Sequence, residues 1–281
     1  AAIPMNFLPQ GATADYILTG SWSEKALKEA QLLGNTHVAA TTADGNYKRI
    51  PKMEEIKLSE KPAYVHLTSN NTIYGTEWQQ FPTFGDAPLI ADMSSDMLSR
   101  PFDATKFAMI YAGAQKNLGP AGVTLVILRQ DMIERCPKNI PTMLRYDIHA
   151  KKDSLYNTPP AFSVYMVHLV LKWLKKNGGL TAMAERNQAK AKLVYDVIDA
   201  APGFFSGHAD KDSRSLMNVT FRLPSEDLEK QFVAEATAAG LGGLKGHRSV
   251  GGLRASIYNA MPQAGCQALA DFMKEFQRKN G

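Results

Sequence analysis

Five short apolar runs recur through the first half of the chain: Thr36–Thr41, Ala63–Thr68, Pro88–Met93, Phe107–Ala112 and Val123–Leu128. Each is too short for a stable helix. Each is also apolar at successive rather than alternate positions, the pattern of strands buried on both faces. Strands of that kind belong to open, mostly parallel sheets covered by helices, so the expected fold class is α/β. Polar or glycine-bearing segments follow several of the runs, and in such sheets ligand-binding groups gather at strand ends. The last run, rich in β-branched residues, stops at the charged break Arg129-Gln130-Asp131.

Helical spacing appears around and after these runs. Ser21-Trp22-Ser23-Glu24 fits the S-x-x-E capping box and leads into Ala26, Leu27, Ala30 and Leu33. Ala161–Lys176 predicts a helix with Val164, Val167, Leu171 and Leu174 on one face, stopped by Asn177-Gly178-Gly179. A further helix, Leu180–Ala200, carries Met183, Ala191, Val194 and Ile198. Beyond Pro202-Gly203 the spacing predicts strand Ser215–Leu223, helix Ser225–Ala239, strand Leu253–Tyr258 and a final amphipathic helix near Gly265–Lys279. The expected division is a large domain over residues 1–178 and a smaller C-terminal α/β domain over 179–281.

The 281 residues suffice for a substantial core, and 44% hydrophobic with 21% charged residues is the balance of a soluble globular protein. The net charge of +5 is spread among acids, as in KALKEA and DFMKEFQRKNG, so no nucleic-acid-binding stripe emerges. No apolar stretch approaches the ~20 residues that span a bilayer. Cys136 and Cys266 lack CxxC spacing, which predicts no metal site and favours a reducing, cytoplasmic compartment. The opening AAIPMNFLP has neither a signal peptide's basic start nor an initiator methionine. The expectation is a chain that is trimmed, processed or missing an upstream part.

The segment GAQKNLGPAG, residues 113–122, places Lys116 among the smallest residues of the chain, directly after an apolar run. Its order, G-x-x-K-x-x-G, is not that of a P-loop. A lysine desolvated at a strand end has a depressed pKa and supplies a free amine for carbonyl compounds, pyridoxal phosphate above all. Read alone, the same lysine also suits a solvated Gly-Pro loop. Pyridoxal phosphate chemistry further needs an acid opposite the pyridine nitrogen, and Asp92 closes the Pro88-Leu-Ile-Ala run in that position. Trp22 offers a face for stacking, and Asn70-Asn71-Thr72 offers short hydrogen-bonding side chains. Gly246-His247-Arg248-Ser249 and Arg254 suit a doubly anionic substrate, and read alone they suit a solvated basic loop as well. The glycines at 242, 243, 246, 251 and 252 predict a loop that comes close to something.

Long stretches of the chain resemble the phosphoserine aminotransferases, pyridoxal-phosphate enzymes of the class V aminotransferase group with the fold-type I architecture. They are GSWSEKA (20–26), SNNTIYGT (69–76), IADMSSDMLSRP (90–101), IYAGAQKNLGPAGVT (110–124), DSLYNTPP (153–160), SRSLMNVTF (213–221) and GHRSVGGLRASIYNAMP (246–262). The resemblance implies that Lys116 is the Schiff-base lysine and Asp92 the partner of the pyridine nitrogen. It implies that Trp22 stacks on the ring, that Thr72 bonds the ring hydroxyl, and that Ser94 and Gln115 hold the cofactor phosphate. Asn157 and Thr158 match a pair that reaches the neighbouring subunit's cofactor, implying a homodimer with shared sites. Arg254 matches the clamp on the substrate α-carboxylate, and His247 and Arg248 match the pair near its phosphate or distal carboxylate. The implied reaction exchanges an amino group between O-phospho-L-serine and 2-oxoglutarate, giving 3-phosphohydroxypyruvate and glutamate in serine biosynthesis. The alternatives are 4-phosphohydroxy-L-threonine as substrate, or a truncated, catalytically impaired dimeric form. The family carries, before the position of Ala1, a His-Arg pair and a Gly-rich turn for phosphate binding, which this sequence does not include.

Overall fold

The computed structural model describes residues 1–281. In chain order the elements begin with α1 (Ala2–Phe7), β1 (Thr13–Leu18), α2 (Ser21–Gln31), β2 (Asn35–Thr41), β3 (Val65–Thr68), β4 (Asn70–Asn71), β5 (Thr76–Glu77) and β6 (Leu89–Asp92). They continue with β7 (Met109–Gly113), β8 (Thr124–Leu128), α3 (Gln130–Glu134), α4 (Tyr146–Lys151), α5 (Ala161–Lys176) and α6 (Gly179–Ala200). The last are β9 (Ser206–Gly207), β10 (Asn218–Arg222), α7 (Glu226–Ala238), β11 (Leu253–Ser256) and α8 (Gln263–Asn280). No helix is long and apolar enough to cross a membrane.

Six strands form one sheet in the order β2-β1-β3-β6-β7-β8. All neighbours are parallel except β7 and β8. One face packs Tyr16, Ile90 and Met109 against Leu27 and Ala30 of α2. The other packs Val65, Leu67, Leu89, Ala91 and Ile110 with Trp78 and Phe107. A second, antiparallel sheet, β11-β10-β9, builds a separate core with α6, α7 and α8. There Phe232 stands edge-on to Phe221, Phe272 and Phe276. Each phenyl ring fully withdrawn from water contributes about 1.5–3 kcal/mol.

The five apolar runs are all strands, but two of them are not buried on both faces. β2 and β8 are the edges of the sheet, and Val38 and Ile127 are each about two-fifths exposed. A strand absent from the runs, β1, lies inside the sheet. Its Asp15 is wholly buried and breaks the apolar pattern; the carboxylate accepts from the Ser59 amide and hydroxyl, both at 2.7 Å.

α2 forms where expected, yet its cap lies one residue earlier than Ser21. The chain enters at Gly20, pressed so close to Asn71 that a Cβ would meet Asn71 Oδ1 at 2.8 Å. The Ser23 hydroxyl accepts from the Thr19 and Gly20 amides at 3.0 and 3.2 Å. Glu24 is thereby released to accept from the Tyr47 hydroxyl at 2.5 Å. α5 matches the predicted Ala161–Lys176, but of its apolar stripe only Leu174 is buried, and Val164 and Leu171 are 47% and 43% exposed.

Candidate active site

Parallel strands deliver their following loops to one edge of the sheet. β1 runs into Gly20-Ser21-Trp22, β3 into Ser69–Thr72, β6 ends on Asp92, and β7 runs into the turn holding Lys116. Lys116 is half-buried, and its Nζ stands 5.7 Å from the centre of the Trp22 ring. Burial lowers its pKa, Arg254 pushes the same way, and Asp92 and Asp96 oppose them. Trp22 leaves 40% of its surface exposed and donates Nε1–H to Thr72 Oγ1 at 3.1 Å. That bond occupies an acceptor position and leaves the Thr72 hydroxyl proton free to be donated.

Asp92 is fixed from one side. Its Oδ1 accepts from the Ser94 amide at 2.9 Å and the Ser94 hydroxyl at 2.6 Å. Ser94 Oγ in turn accepts from the Gly113 amide at 3.0 Å, tying the end of β6 to the end of β7. Gln115 is exposed beside them.

The second sheet brings the arginines. Arg254, on β11 opposite Thr220, donates from Nη1 to the Thr72 carbonyl at 3.1 Å. Its Nε is buried without a partner. His247 Nδ1 accepts from the Ser249 amide at 3.3 Å, which places the ring proton on Nε2. Burial and the charges of Arg254, Arg248 and Lys25 depress the His247 pKa. The cations gathered here form an anion-attracting cluster. The glycines of this loop serve a closer contact than expected: a Cβ at Gly246 would meet the Gly251 carbonyl at 2.0 Å, so the loop folds on itself. Asn157 and Thr158 are not brought to this cluster. They lie on an exposed stretch before α5, and Asn157 Nδ2 donates to the Thr158 carbonyl at 3.2 Å.

Sequence reading missed a buried polar seam beneath the site. Asn70 Nδ2 donates to Ser95 Oγ at 2.8 Å and to Asn218 Oδ1 at 2.9 Å, while Asn70 Oδ1 accepts from Ser215 Oγ at 2.5 Å. Asn117, next to Lys116, accepts from the Asn259 amide at 3.0 Å. Gly75 turns the chain here at φ +73°, where a Cβ would stand 2.5 Å from Thr220 Oγ1. The signal available was the pair of acids in Asp92-Met-Ser-Ser-Asp96, four residues apart after a strand.

Asp96 accepts from Ser69 Oγ and is buried with Glu77, whose Oε2 accepts from the Leu216 amide at 2.7 Å. Arg100 lies 3.5 Å from Glu77 Oε1. Burial and then the Asp96 charge push Glu77 up to about 7, and burial pushes Asp96 up to about 6. A carboxyl raised in the folded state stabilises the fold fully below its unfolded pKa and loses that contribution as pH rises through the folded value. Thermal melts should therefore show Tm falling between about pH 5 and about pH 8, and Glu77→Gln should flatten that fall by a few degrees. An unchanged slope in the variant would remove Glu77 as its cause.

A carboxylate for the ring nitrogen, an open indole face, a free hydroxyl and a desolvated amine converge, and Arg254 holds an unsatisfied donor beside them. These residues fit pyridoxal phosphate.

Residues 1–269 match the family model described as aminotransferase class-V. The chain is 61% identical over 281 residues to the phosphoserine aminotransferase of Herpetosiphon aurantiacus, covering 100% of this chain and 78% of that protein. Its structure is similar to that of phosphoserine aminotransferase from Bacillus circulans subsp. alkalophilus, with a TM-score of 0.98 at 59% identity, covering 100% of this chain and 78% of that one. It is also similar to the pyridoxal-phosphate-bound phosphoserine aminotransferase of Trichomonas vaginalis, with a TM-score of 0.91 at 41% identity, covering 97% and 78% of the two chains.

Proposed function

The chain belongs to the aminotransferase class-V family, and from that membership we propose that it transfers the amino group between O-phospho-L-serine and 2-oxoglutarate, using pyridoxal phosphate. The observation that carries this reading is the Lys116 amine, its pKa lowered by burial, held over the Trp22 face beside the strand that ends in Asp92. When bound, the cofactor supplies the electron sink that makes the substrate Cα–H bond acidic.

The remaining work falls to this chain's side chains. Asp92 would pair with the ring nitrogen and favour its protonated form. Trp22 would stack on the ring, Thr72 would donate to the ring hydroxyl, and Ser94 and Gln115 would hold the cofactor phosphate. Lys116 Nζ would take the Cα proton and deliver it to the carbon on the other side of the substrate nitrogen, a transfer suited to an amine with a lowered pKa. Arg254 would clamp the α-carboxylate and so hold the substrate's Cα–H bond in one orientation. His247 and Arg248 receive the phosphate of one substrate and the distal carboxylate of the other.

We assign residues 1–178 and 179–281 to a large and a small domain, each with its own sheet. The chain acts as a homodimer, with Asn157 and Thr158 serving the neighbouring site. Uncovered apolar side chains on α5 outside the predicted stripe, Phe162, Tyr165 and Trp173 at 73%, 56% and 39% exposed, support such a contact. Both cysteines are free and buried, as suits the reducing cytoplasm.

Incubating the protein with cofactor, phosphoserine and 2-oxoglutarate should yield glutamate; absence of turnover overturns the reading. Arg254→Ala should raise KM for phosphoserine and for glutamate alike, by about 10- to 100-fold, the worth of a charge-assisted bond to a carboxylate. A change confined to one substrate would contradict a shared clamp.

A further inference from the structure

Behind Asp92 the sheet holds two titratable side chains that no step above uses. Tyr111 is the register partner of Asp92 across β6 and β7, so both side chains leave the same face of the sheet. His66, on β3, is 1% exposed, and its Nε2 lies 3.0 Å from the Tyr111 hydroxyl. The imidazole is clamped from behind by Tyr16, stacked at 5.0 Å, and Tyr16 is held by its hydroxyl contact of 2.7 Å with Tyr64.

Proton bookkeeping orients the chain. Burial holds His66 neutral, its pKa down at about 4 although Asp92 pulls upward. Burial and the Asp92 charge raise the Tyr111 phenol well above its ordinary value, so it keeps its proton. Tyr111 has one proton to give, and an ionised carboxylate is the strongest acceptor near it. His66 then carries its proton on Nε2 and donates it to the phenolic oxygen. That tautomer leaves Nδ1 as a bare acceptor, and Nδ1 is indeed buried with no partner.

We propose that Tyr111 and His66 are positioning residues for Asp92: Tyr111 donates to the carboxylate, His66 holds the phenol in place, and Asp92 meets the cofactor ring nitrogen as an oriented anion. The inference rests on the function proposed above. The charged and titratable groups facing Asp92 are Lys116, Asp96, His66 and Tyr111, and the variants below alter only the last two.

The test uses holoprotein and its cofactor-free form, with two readouts besides turnover. One is the cofactor dissociation constant from fluorescence titration; the other is the pH midpoint of the bound cofactor's visible absorption. Tyr111→Phe should weaken cofactor binding about 5- to 10-fold and move the midpoint by about half a pH unit or more, the effect of one hydrogen bond to a charged group. His66→Leu should move both in the same direction and by less. His66→Gln, whose amide can still donate to Tyr111, should restore them toward the unaltered values. Because His66 acts through Tyr111, the double variant Y111F/H66L should be no worse than Y111F. The proposal is overturned if Y111F leaves both readouts unchanged, if H66Q behaves as H66L does, or if the two effects simply add. If the unaltered protein binds no cofactor, the functional reading itself fails, a result distinct from any of these.

Discussion

Lys116→Ala should reduce transamination by at least about 10³-fold while leaving the thermal unfolding of the cofactor-free protein nearly unchanged. The size follows from the number of tasks placed on one amine. Under the proposed function it would hold the cofactor, yield it to the substrate, and move a proton between two carbons. General acid–base transfer alone is worth about 10²–10⁴ in rate. The fold should tolerate the loss because Lys116 lies in a turn, half-buried, and forms no hydrogen bond that ties elements together; Asn117 does that beside it. Borohydride should fix cofactor to Lys116 in the unaltered protein and to no lysine in the variant. Small added amines should restore part of the rate, since the missing group is a free base in a solvent-reachable cleft. Labelling at Lys25, the other ammonium over Trp22 at 4.4 Å, would sink the assignment.

Asp92→Asn should cost about 10²–10³ in kcat, the range seen when a positioned electrostatic partner is removed. The substitution keeps shape and lets the amide oxygen accept from the Ser94 amide, so the β6–β7 junction survives. Under the proposed function it would replace the anion that partners the ring nitrogen by a neutral amide, which would weaken the electron sink while the cofactor still fits. Asp92→Glu should fall between the two, since its charge is retained but Ser94 can no longer grip it at the same length. A variant with Asn at 92 and unaltered kcat would show that ring protonation is maintained elsewhere.

Much of this was legible in the residues. The apolar runs found five of the six strands of the main sheet because burial on both faces leaves a continuous pattern. β1 escaped because Asp15, satisfied by Ser59 from a distant loop, interrupts it. Lys116, Asp92 and Arg254 each carried a chemical reason to be singled out, since amine, acid and guanidinium are rare at strand ends without a task. Their convergence was not legible, because Arg254 and Thr72 stand 182 residues apart and meet only through the packing of two sheets. Glu77 and His66 were silent for a related reason: a buried polar group becomes recognisable only once its partners are placed. The exposed stripe of α5 marks the converse limit, since helical periodicity reports an apolar face and not what covers it.

The asparagine seam has a mechanical meaning. Asn70 is bonded at once to Ser95 after β6, to Asn218 on β10 and to Ser215 ahead of it, and Asn117 grips the backbone beyond β11. Swinging one sheet against the other would strand these carboxamides in a dry interior, each at a cost of about 1–3 kcal/mol. The turn of Lys116 and the strand of Arg254 are therefore welded into one rigid unit. The loop of His247 and Arg248 stands outside this seam, since none of these carboxamides bonds to it.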